Sequence, residues 1–255
     1  MIADREHEST RIEAFSDAMF AFAATLLVVS LEVPRDFNDL LTNLRGFIPF
    51  ALSFAALYFI WVAHTNVFRR YALGDSYTIL LNGILLFTVL FYVYPLKFMA
   101  SAIVANFTGN PGVVIHADQL GTLFIVYGLG WTLVFLLIAL LYRHAYKSRS
   151  QLNIDALSAY DAQTHSRHYL AFASVGVLSI ILAWLGVGVR LGIPGFIYAT
   201  VGILAAVNGS SRRKAREVLE RVGTGEFTIP DNVTTPSSPA PIVTTAIHVV
   251  KGNNG

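Results

Sequence analysis

Long apolar segments, separated by short polar ones, occupy most of this chain. Each is long enough to cross a bilayer core of about 30 Å as a helix. In lipid, a spanning segment must satisfy its backbone hydrogen bonds internally, which also favours helices. The pattern predicts an all-α polytopic membrane protein whose residues 1–210 form six transmembrane helices. The predicted spans are 12–33, 47–68, 77–100, 120–142, 169–189 and 191–208.

The last two spans are joined so closely, at residues 190–194, that they must form a hairpin. The segment 147–167 is polar and is expected to be a solvated loop. His165 lies in this segment, and His168 directly follows it. Two histidines at that spacing could bind a metal, but no third ligand is evident nearby, so no metal site is predicted there.

Composition and charge support this picture. Charged residues make up 13% of the 255 residues, about half the usual fraction for a soluble domain. With six spans, both termini lie on the same side, and fourteen of the eighteen Lys and Arg residues fall there. The positive-inside rule therefore predicts cytoplasmic termini in the cell membrane. Residues 211–222 are expected to form a cytoplasmic amphipathic segment, and 223–255, rich in Pro, Ser and Thr, a disordered tail.

The first predicted span carries several polar residues, which are costly inside a membrane and therefore informative. On a helical wheel of about 100° per residue, one narrow apolar stripe appears, with Thr25 at its edge and Asp17 more than about 90° away. The stripe consists of Ala18, Phe22, Leu26, Val29 and Val33. Asp17 must then face another helix or water inside the bundle.

Polar residues of the second and third spans could meet this carboxylate. In the predicted topology Asp17, His64 and Asn82 all lie near the cytoplasmic side, and Arg11 could pair with Asp17 to lower the cost of burial. Such a cluster could fix helix register, contact a permeating ion or proton, or take part in catalysis. The residues themselves leave these three alternatives open.

The same residues resemble a known family. Arg11 is separated by three residues from Phe15-Ser16-Asp17, and Thr25-Leu26-Leu27 follows later in the same span. This arrangement resembles the opening helix of the prokaryotic TMEM175 family of potassium channels. Trp61, His64 and Asn82 resemble the polar positions of that family's second and third helices. The resemblance assigns Arg11, Phe15, Ser16, Asp17, Trp61, His64 and Asn82 to a structural polar network.

The resemblance also implies a homotetramer around a central pore lined by the first helix. Phe22, Leu26 and Val29 would form a hydrophobic constriction in place of a carbonyl selectivity filter, and Thr25 would add a ring of hydroxyls. Phe22 stands where the family usually has Ile or Leu. The implied partners are potassium ions, the lipid bilayer and further copies of the chain. No cofactor, no nucleic acid and no metal other than permeating potassium is expected.

A carrier and an enzyme are the two alternatives to a channel. A secondary transporter or proton-coupled carrier could use Asp17 and His64 as protonatable coupling sites, but no second copy of the first three spans appears. An enzyme would require Ser16 and Asp17 to serve His64. These neighbours point about 100° apart, which does not suit a catalytic triad, so no enzymatic activity is predicted. The absence of cysteine excludes thiol chemistry and disulfides.

Overall fold

The computed structural model describes residues 2–29, 35–108 and 115–202. Within these ranges five helices are long and apolar enough to cross a membrane, which confirms a multi-helix membrane protein. The long helices are α1 (Ile2–Val29), α2 (Phe37–Tyr71), α3 (Ser76–Thr108), α4 (Leu120–Lys147) and α5 (Ala156–Trp184).

The helices α1, α2, α3 and α5 begin before the apolar segments that predicted them. The largest difference concerns α5, which begins at Ala156 rather than near residue 169, so the expected loop at 147–167 is largely helical. Asp155 starts this helix by accepting a hydrogen bond from the Ser158 backbone N–H at 3.2 Å. An N-cap of this kind stabilises a helix outside the membrane, where hydropathy gives no signal.

The sixth predicted span is only partly described. After Trp184 the chain turns through Leu185–Gly188, forms a 3-10 turn (Val189–Leu191) and then a short helix, α6 (Ile193–Phe196). The Ser179 hydroxyl donates a 2.8 Å hydrogen bond to the Pro194 carbonyl, so the chain folds back on α5 as the hairpin prediction requires. The rest of the span, the segment 211–222 and the tail 223–255 lie outside the described residues.

Helices α4 and α5 form the most extensive contact in the described bundle. Their backbones approach closely at Gly128 and Gly176, where a Cβ on Gly128 would stand 3.2 Å from the Gly176 carbonyl oxygen. The Trp131 indole N–H donates a 2.9 Å hydrogen bond to the Phe172 carbonyl across the same contact. Small residues permit such close helix packing in membranes, where no hydrophobic force between helices is available.

Helix α3 connects the α4–α5 pair to the first two helices, because it packs against α1, α2 and α4. Helix α1 contacts α2 and α3. The aromatic and aliphatic side chains of the interior include Phe135, Phe172, Tyr142 and Leu85. In this arrangement α1 packs against α2 and α3 on one side only. The opposite side of α1 is therefore not covered by the rest of the described chain.

Candidate functional site

Helix α1 has one buried face and one exposed face. The buried face carries Ser16, Phe20, Ala23 and Leu27, which pack against α2 and α3. On the opposite face Phe22 is 53% exposed and Val29 72% exposed, and Ala18 and Thr25 are exposed as well. An exposed row of apolar side chains, spaced three and four residues apart, runs along the helix opposite its packed side.

The centre of this exposed face differs slightly from the stripe read off the sequence. Thr25, expected at its edge, lies near its middle between Phe22 and Val29, and its hydroxyl donates a 2.9 Å hydrogen bond to the Ala21 carbonyl of its own helix. Leu26, expected on the stripe, is half-buried and packs partly against the core of its own chain. The buried residue Leu27 fixes the rotation, because it points to the side opposite Phe22 and Val29.

Behind the exposed face, three helices are joined by side-chain hydrogen bonds. Asn82 of α3 donates through Nδ2 to the Ser16 hydroxyl of α1 at 2.9 Å. Its Oδ1 lies 2.8 Å from His64 Nε2 of α2. Ser16 in turn donates to the Ile12 carbonyl at 2.7 Å. The structure thus brings together three of the polar residues singled out from the sequence.

The imidazole of His64 lies deep in the bundle at 0% exposure. Its ring packs between those of Phe20, at 5.5 Å, and Phe68, at 4.7 Å between centroids. Because Asn82 Oδ1 can only accept, His64 must carry its proton on Nε2 in this arrangement. The two phenylalanines occupy ordinary apolar positions in the sequence, so nothing in the sequence alone distinguishes them from other core residues.

Asp17 makes a separate contact. The indole N–H of Trp61 on α2 donates to Asp17 Oδ1 at 2.7 Å, so this carboxylate faces a neighbouring helix. Trp61 also ends a row of stacked rings along α2, with the Tyr58 ring 5.3 Å from its own. The Asp17–Trp61 bond therefore ties α1 to α2 near the Asn82 cluster.

Arg11 and Phe15 stand outside these contacts, contrary to the expectation that they belong to the polar network. Both are exposed, and no ion pair between Arg11 and Asp17 occurs in the described part of the chain. The reason is rotational: six residues along a helix place the two side chains about 120° apart. Phe15 instead continues the exposed face that carries Phe22.

A further polar contact, not predicted from the sequence, joins the turn between α2 and α3 to the end of α4. His144 Nε2 lies 2.9 Å from Asp75 Oδ2, and the Tyr77 ring packs on the imidazole at 4.8 Å. The Thr78 hydroxyl donates to Asp75 Oδ1 at 2.5 Å. Partial burial raises the pKa of Asp75, but the Thr78 hydrogen bond and His144 outweigh this effect and hold that pKa below its usual range.

The pair His165 and His168 does not lie in a loop. Both residues are on α5; His168 is buried and packs on Phe172 at 4.3 Å, and His165 stacks on Tyr142 at 4.9 Å. In the residues that the structure describes, no three metal-binding side chains come together.

Comparison with known proteins identifies the family of this bundle. A model of the endosomal/lysosomal potassium channel TMEM175 family matches residues 11–92. A protein of Marivirga tractuosa named as a potassium channel is 37% identical over 230 residues, covering 85% of this chain and 93% of its own. The chain belongs to the TMEM175 potassium channel family. Ion channels are not an enzyme class.

A further potassium channel and two solved TMEM175 structures are also similar to this chain. A potassium channel of Chamaesiphon minutus is 29% identical over 195 residues, covering 73% of this chain and 92% of its own. The crystal structure of a variant of the potassium channel MtTMEM175, in complex with a nanobody fusion protein, is 38% identical. The match covers 80% of this chain and 93% of the solved channel chain, with a TM-score of 0.70. A Chamaesiphon minutus TMEM175 homologue, 24% identical with a TM-score of 0.54, shares the fold over 79% of this chain and 98% of its own.

The match to the TMEM175 family model includes α1 from Arg11 onward and the hydrogen-bonded residues of α2 and α3 behind it. Arg11 is the first matched residue and Asn82 lies within the last third of the matched range. The exposed face of α1 and the hydrogen bonds behind it thus belong to the part of the chain that defines the family.

Proposed function

We propose that this chain forms a potassium-selective or potassium-preferring channel, in which α1 of each subunit lines a central pore. The observation that carries the proposal is the exposed face of α1, where Phe22 and Val29 stand opposite the side that packs on the rest of the chain. The relatives named as potassium channels support the choice of ion.

A single copy cannot enclose a path for ions with one helix, so several copies must bring their α1 helices together. We propose a homotetramer, in which four equivalent faces close a ring by rotational symmetry. The chain carries one Phe15-Ser16-Asp17 element, which supports one lining helix per subunit. In such a ring Phe22, Thr25, Leu26 and Val29 would lie around the axis.

The proposed constriction acts through its apolar character. A ring of phenyl and aliphatic side chains narrower than a hydrated ion loses its water and blocks conduction, so a small rotation of α1 that widens the ring would open the pore. Leu26 lies at the flank of the exposed face, and a modest rotation could therefore move it toward or away from the axis. The Thr25 hydroxyl could replace a water molecule lost by a dehydrating potassium ion.

The polar contacts behind α1 would hold the lining face in position. Asn82 and Trp61 fasten α1 to α3 and α2 through Ser16 and Asp17. Asn82 also occupies His64 Nε2, and Trp61 occupies one oxygen of Asp17. This supports a structural role for the two residues rather than the proton-coupled carrier that could use them. We therefore assign Ser16, Asp17, Trp61, His64 and Asn82 to positioning the pore.

Current measurements distinguish the channel from the carrier. Purified protein is reconstituted in a planar bilayer with potassium on one side and sodium on the other. A channel gives ohmic current whose reversal potential follows the potassium gradient. A carrier would give a flux that saturates and follows the proton or sodium gradient, and that result would overturn the proposal.

Introduced cysteines identify the lining residues, because the chain has none of its own. Phe22→Cys, Thr25→Cys and Val29→Cys channels should lose most of their current when treated with a charged thiol reagent. Val28→Cys is the matched control, since Val28 is exposed on the same helix but points about 100–120° away from Phe22 and Val29 and about 60° away from Thr25. Equal sensitivity at Val28, or none at the other three positions, would contradict a pore lined by this face.

We also propose that both termini lie in the cytoplasm, with the protein in the cell membrane. Ser150, beyond α4, and His116, before it, are exposed at opposite ends of that helix. In sealed cells, a membrane-impermeant maleimide should label His116→Cys from outside and Ser150→Cys only after lysis. The reverse labelling would invert the proposed orientation.

A further inference from the structure

Arg11 lies in line with the side chains that we propose to line the pore. Helix α1 is continuous from Ile2 to Val29, so side-chain directions can be followed along it without interruption. The step from Arg11 to Val29 corresponds to about five complete turns at about 100° per residue, and Phe22 lies about 20° from the same line. The exposed face of α1 therefore carries an arginine toward its N-terminal end.

The guanidinium group of Arg11 is available to face a pore. Its side chain is exposed, and it makes no hydrogen bond or ion pair with any side chain that the structure describes. The acidic side chains described on α1 point to other sides of the helix. Glu8, Asp17 and Glu13 lie about 60°, 120° and 160° around the helix from Arg11, respectively. The positive charge on the exposed face is thus not neutralised by these carboxylates.

In a ring of α1 helices, which rests on the function proposed above, this face would point to the axis. Rotational symmetry would then bring four guanidinium groups together at the end of the pore that carries the N termini. At about 1.5 Å per residue, Arg11 lies about 16 Å along the helix from Phe22. The charges would therefore stand in the mouth of the pore, outside the apolar constriction, where burying them would be costly.

A ring of positive charge in a pore mouth lowers the local concentration of potassium ions, because charges of one sign in a narrow aqueous entrance repel ions of that sign. Arginine keeps its charge at any pH at which the protein is folded. Salt screens the repulsion, over about 30 Å at about 0.01 M and about 3 Å at about 1 M. We propose that Arg11 limits the rate at which potassium enters the pore from the cytoplasmic side, most strongly at low salt.

The charge at position 11 can be changed in the assembled channel, because the chain has no cysteine of its own. In inside-out patches, Arg11→Gln should raise the outward potassium current several-fold at about 0.01 M KCl and much less at about 1 M. Arg11→Lys keeps the charge and should match the parent. Arg11→Cys should behave like Arg11→Gln. A trimethylammonium thiol reagent should then return its outward current toward that of the parent, whereas a sulfonate reagent should raise that current further.

The matched control is Arg143→Cys, which removes an exposed arginine near the end of α4 on the same proposed side of the membrane. Neither reagent should alter its current. Parent-like current in Arg11→Gln at both salt concentrations would overturn the proposal and leave the channel function intact. So would equal effects of the two reagents on Arg11→Cys, because size rather than charge would then matter. Loss of the oligomer in Arg11→Gln would also overturn it, since Arg11 would then hold the assembly together. A parent without potassium current would overturn the proposed function, and this inference with it.

Discussion

At the scale of single residues, Asn82 has the widest reach, because its amide bonds α3 to both α1 and α2. Its two partners differ in what they lose without it. Ser16 retains its bond to the Ile12 carbonyl, whereas His64 Nε2 would remain buried in an aromatic setting. Removing Asn82 would therefore destabilise the protein mainly by leaving His64 Nε2 buried without a hydrogen-bond partner.

We expect Asn82→Ala to lower the free energy of unfolding by about 1–3 kcal/mol, since one buried polar group loses its partner. Denaturant titration in detergent measures this. Ser174→Ala is the control, because that exposed hydroxyl bonds only to the Ala171 carbonyl of its own helix. Adding His64→Phe to Asn82→Ala should restore part of the stability, because a phenyl ring fits between Phe20 and Phe68 and needs no hydrogen bond. Further loss in the double variant would contradict this account.

The sequence was sufficient to identify the polar residues of the site but not every contact among them. Ser16, Asp17, His64 and Asn82 stood out because polar side chains are rare in membrane spans. The pairing of Asp17 with Trp61 rather than Arg11 depends on helix rotation and on which face of α2 is nearest. A single sequence determines neither of these. For the same reason Thr25, expected at the edge of the stripe, lies near the middle of the exposed face, whereas Leu26, expected on the stripe, is half-buried.

Leu26 gives a residue-scale test of the constriction. We expect Leu26→Asn to raise leak current several-fold in reconstituted protein, because a polar ring keeps the narrow part of the pore wet. Bilayer recording at equal protein density measures it, with Val28→Asn as the control on a different side of α1. Unchanged conductance and gating in Leu26→Asn would remove Leu26 from the lining and leave it as a packing residue of its own subunit.

At the scale of helices, the pattern of apolar residues predicts where helices occur better than it predicts where they begin and end. The predicted spans 47–68, 77–100 and 120–142 are helical throughout, whereas α5 ends at Trp184 instead of residue 189 and begins more than three turns before its apolar part. Hydropathy measures only the portion in contact with lipid, and the N-cap at Asp155 was the local signal for the true start. Ser166 shows why this extension matters, since it donates to the Ala139 carbonyl at 3.0 Å and joins α5 to α4.

The close contact of α4 with α5 predicts a large effect from a single methyl group. In Gly128→Ala the new Cβ would lie 2.7 Å from Ile180 Cγ1, so the helices must separate or repack. We expect a loss of about 1–3 kcal/mol in the free energy of unfolding. Gly83→Ala is the matched control, since its Cβ would meet nothing within 4 Å, and helix propensity alone should make it neutral or slightly stabilising. Equal effects of the two changes would argue against tight packing at Gly128.

The turn between α2 and α3 predicts a dependence of stability on acid. Because the folded pKa of Asp75 lies below that of an unfolded aspartate, the contribution of its carboxylate to stability is complete above the unfolded pKa and is lost as the pH falls through the lowered folded pKa. Thermal midpoints measured from pH 6 to pH 3 should therefore fall less steeply for Asp75→Asn than for the parent. A parallel decline in both proteins would mean that the His144 and Thr78 contacts do not stabilise the ionised carboxylate.

At the scale of the whole molecule, α1 is the least buried of the five long helices that the structure describes. It packs on α2 and α3 through one face and leaves a row of apolar side chains uncovered on the other. In the assembly that we propose, neighbouring subunits and the pore would share that face. In that assembly the orientation of α1 within each subunit would determine whether the ring can close. The Ser16–Asn82 and Asp17–Trp61 hydrogen bonds, which hold this orientation, would then be required for assembly.

Asp17 tests this link between the internal contacts of a subunit and the assembly. Asp17→Ala removes the acceptor for the Trp61 indole N–H and loosens α1 against α2. We therefore expect the yield of detergent-stable oligomer to fall several-fold while the potassium-to-sodium reversal potential of the surviving channels stays unchanged. Trp61→Phe removes the same bond from the other side and should act in the same direction. Glu13→Ala removes a neighbouring carboxylate one turn earlier on α1 and serves as the charge control. Normal oligomer yield together with altered ion preference in Asp17→Ala would instead place this carboxylate on the path of the ions.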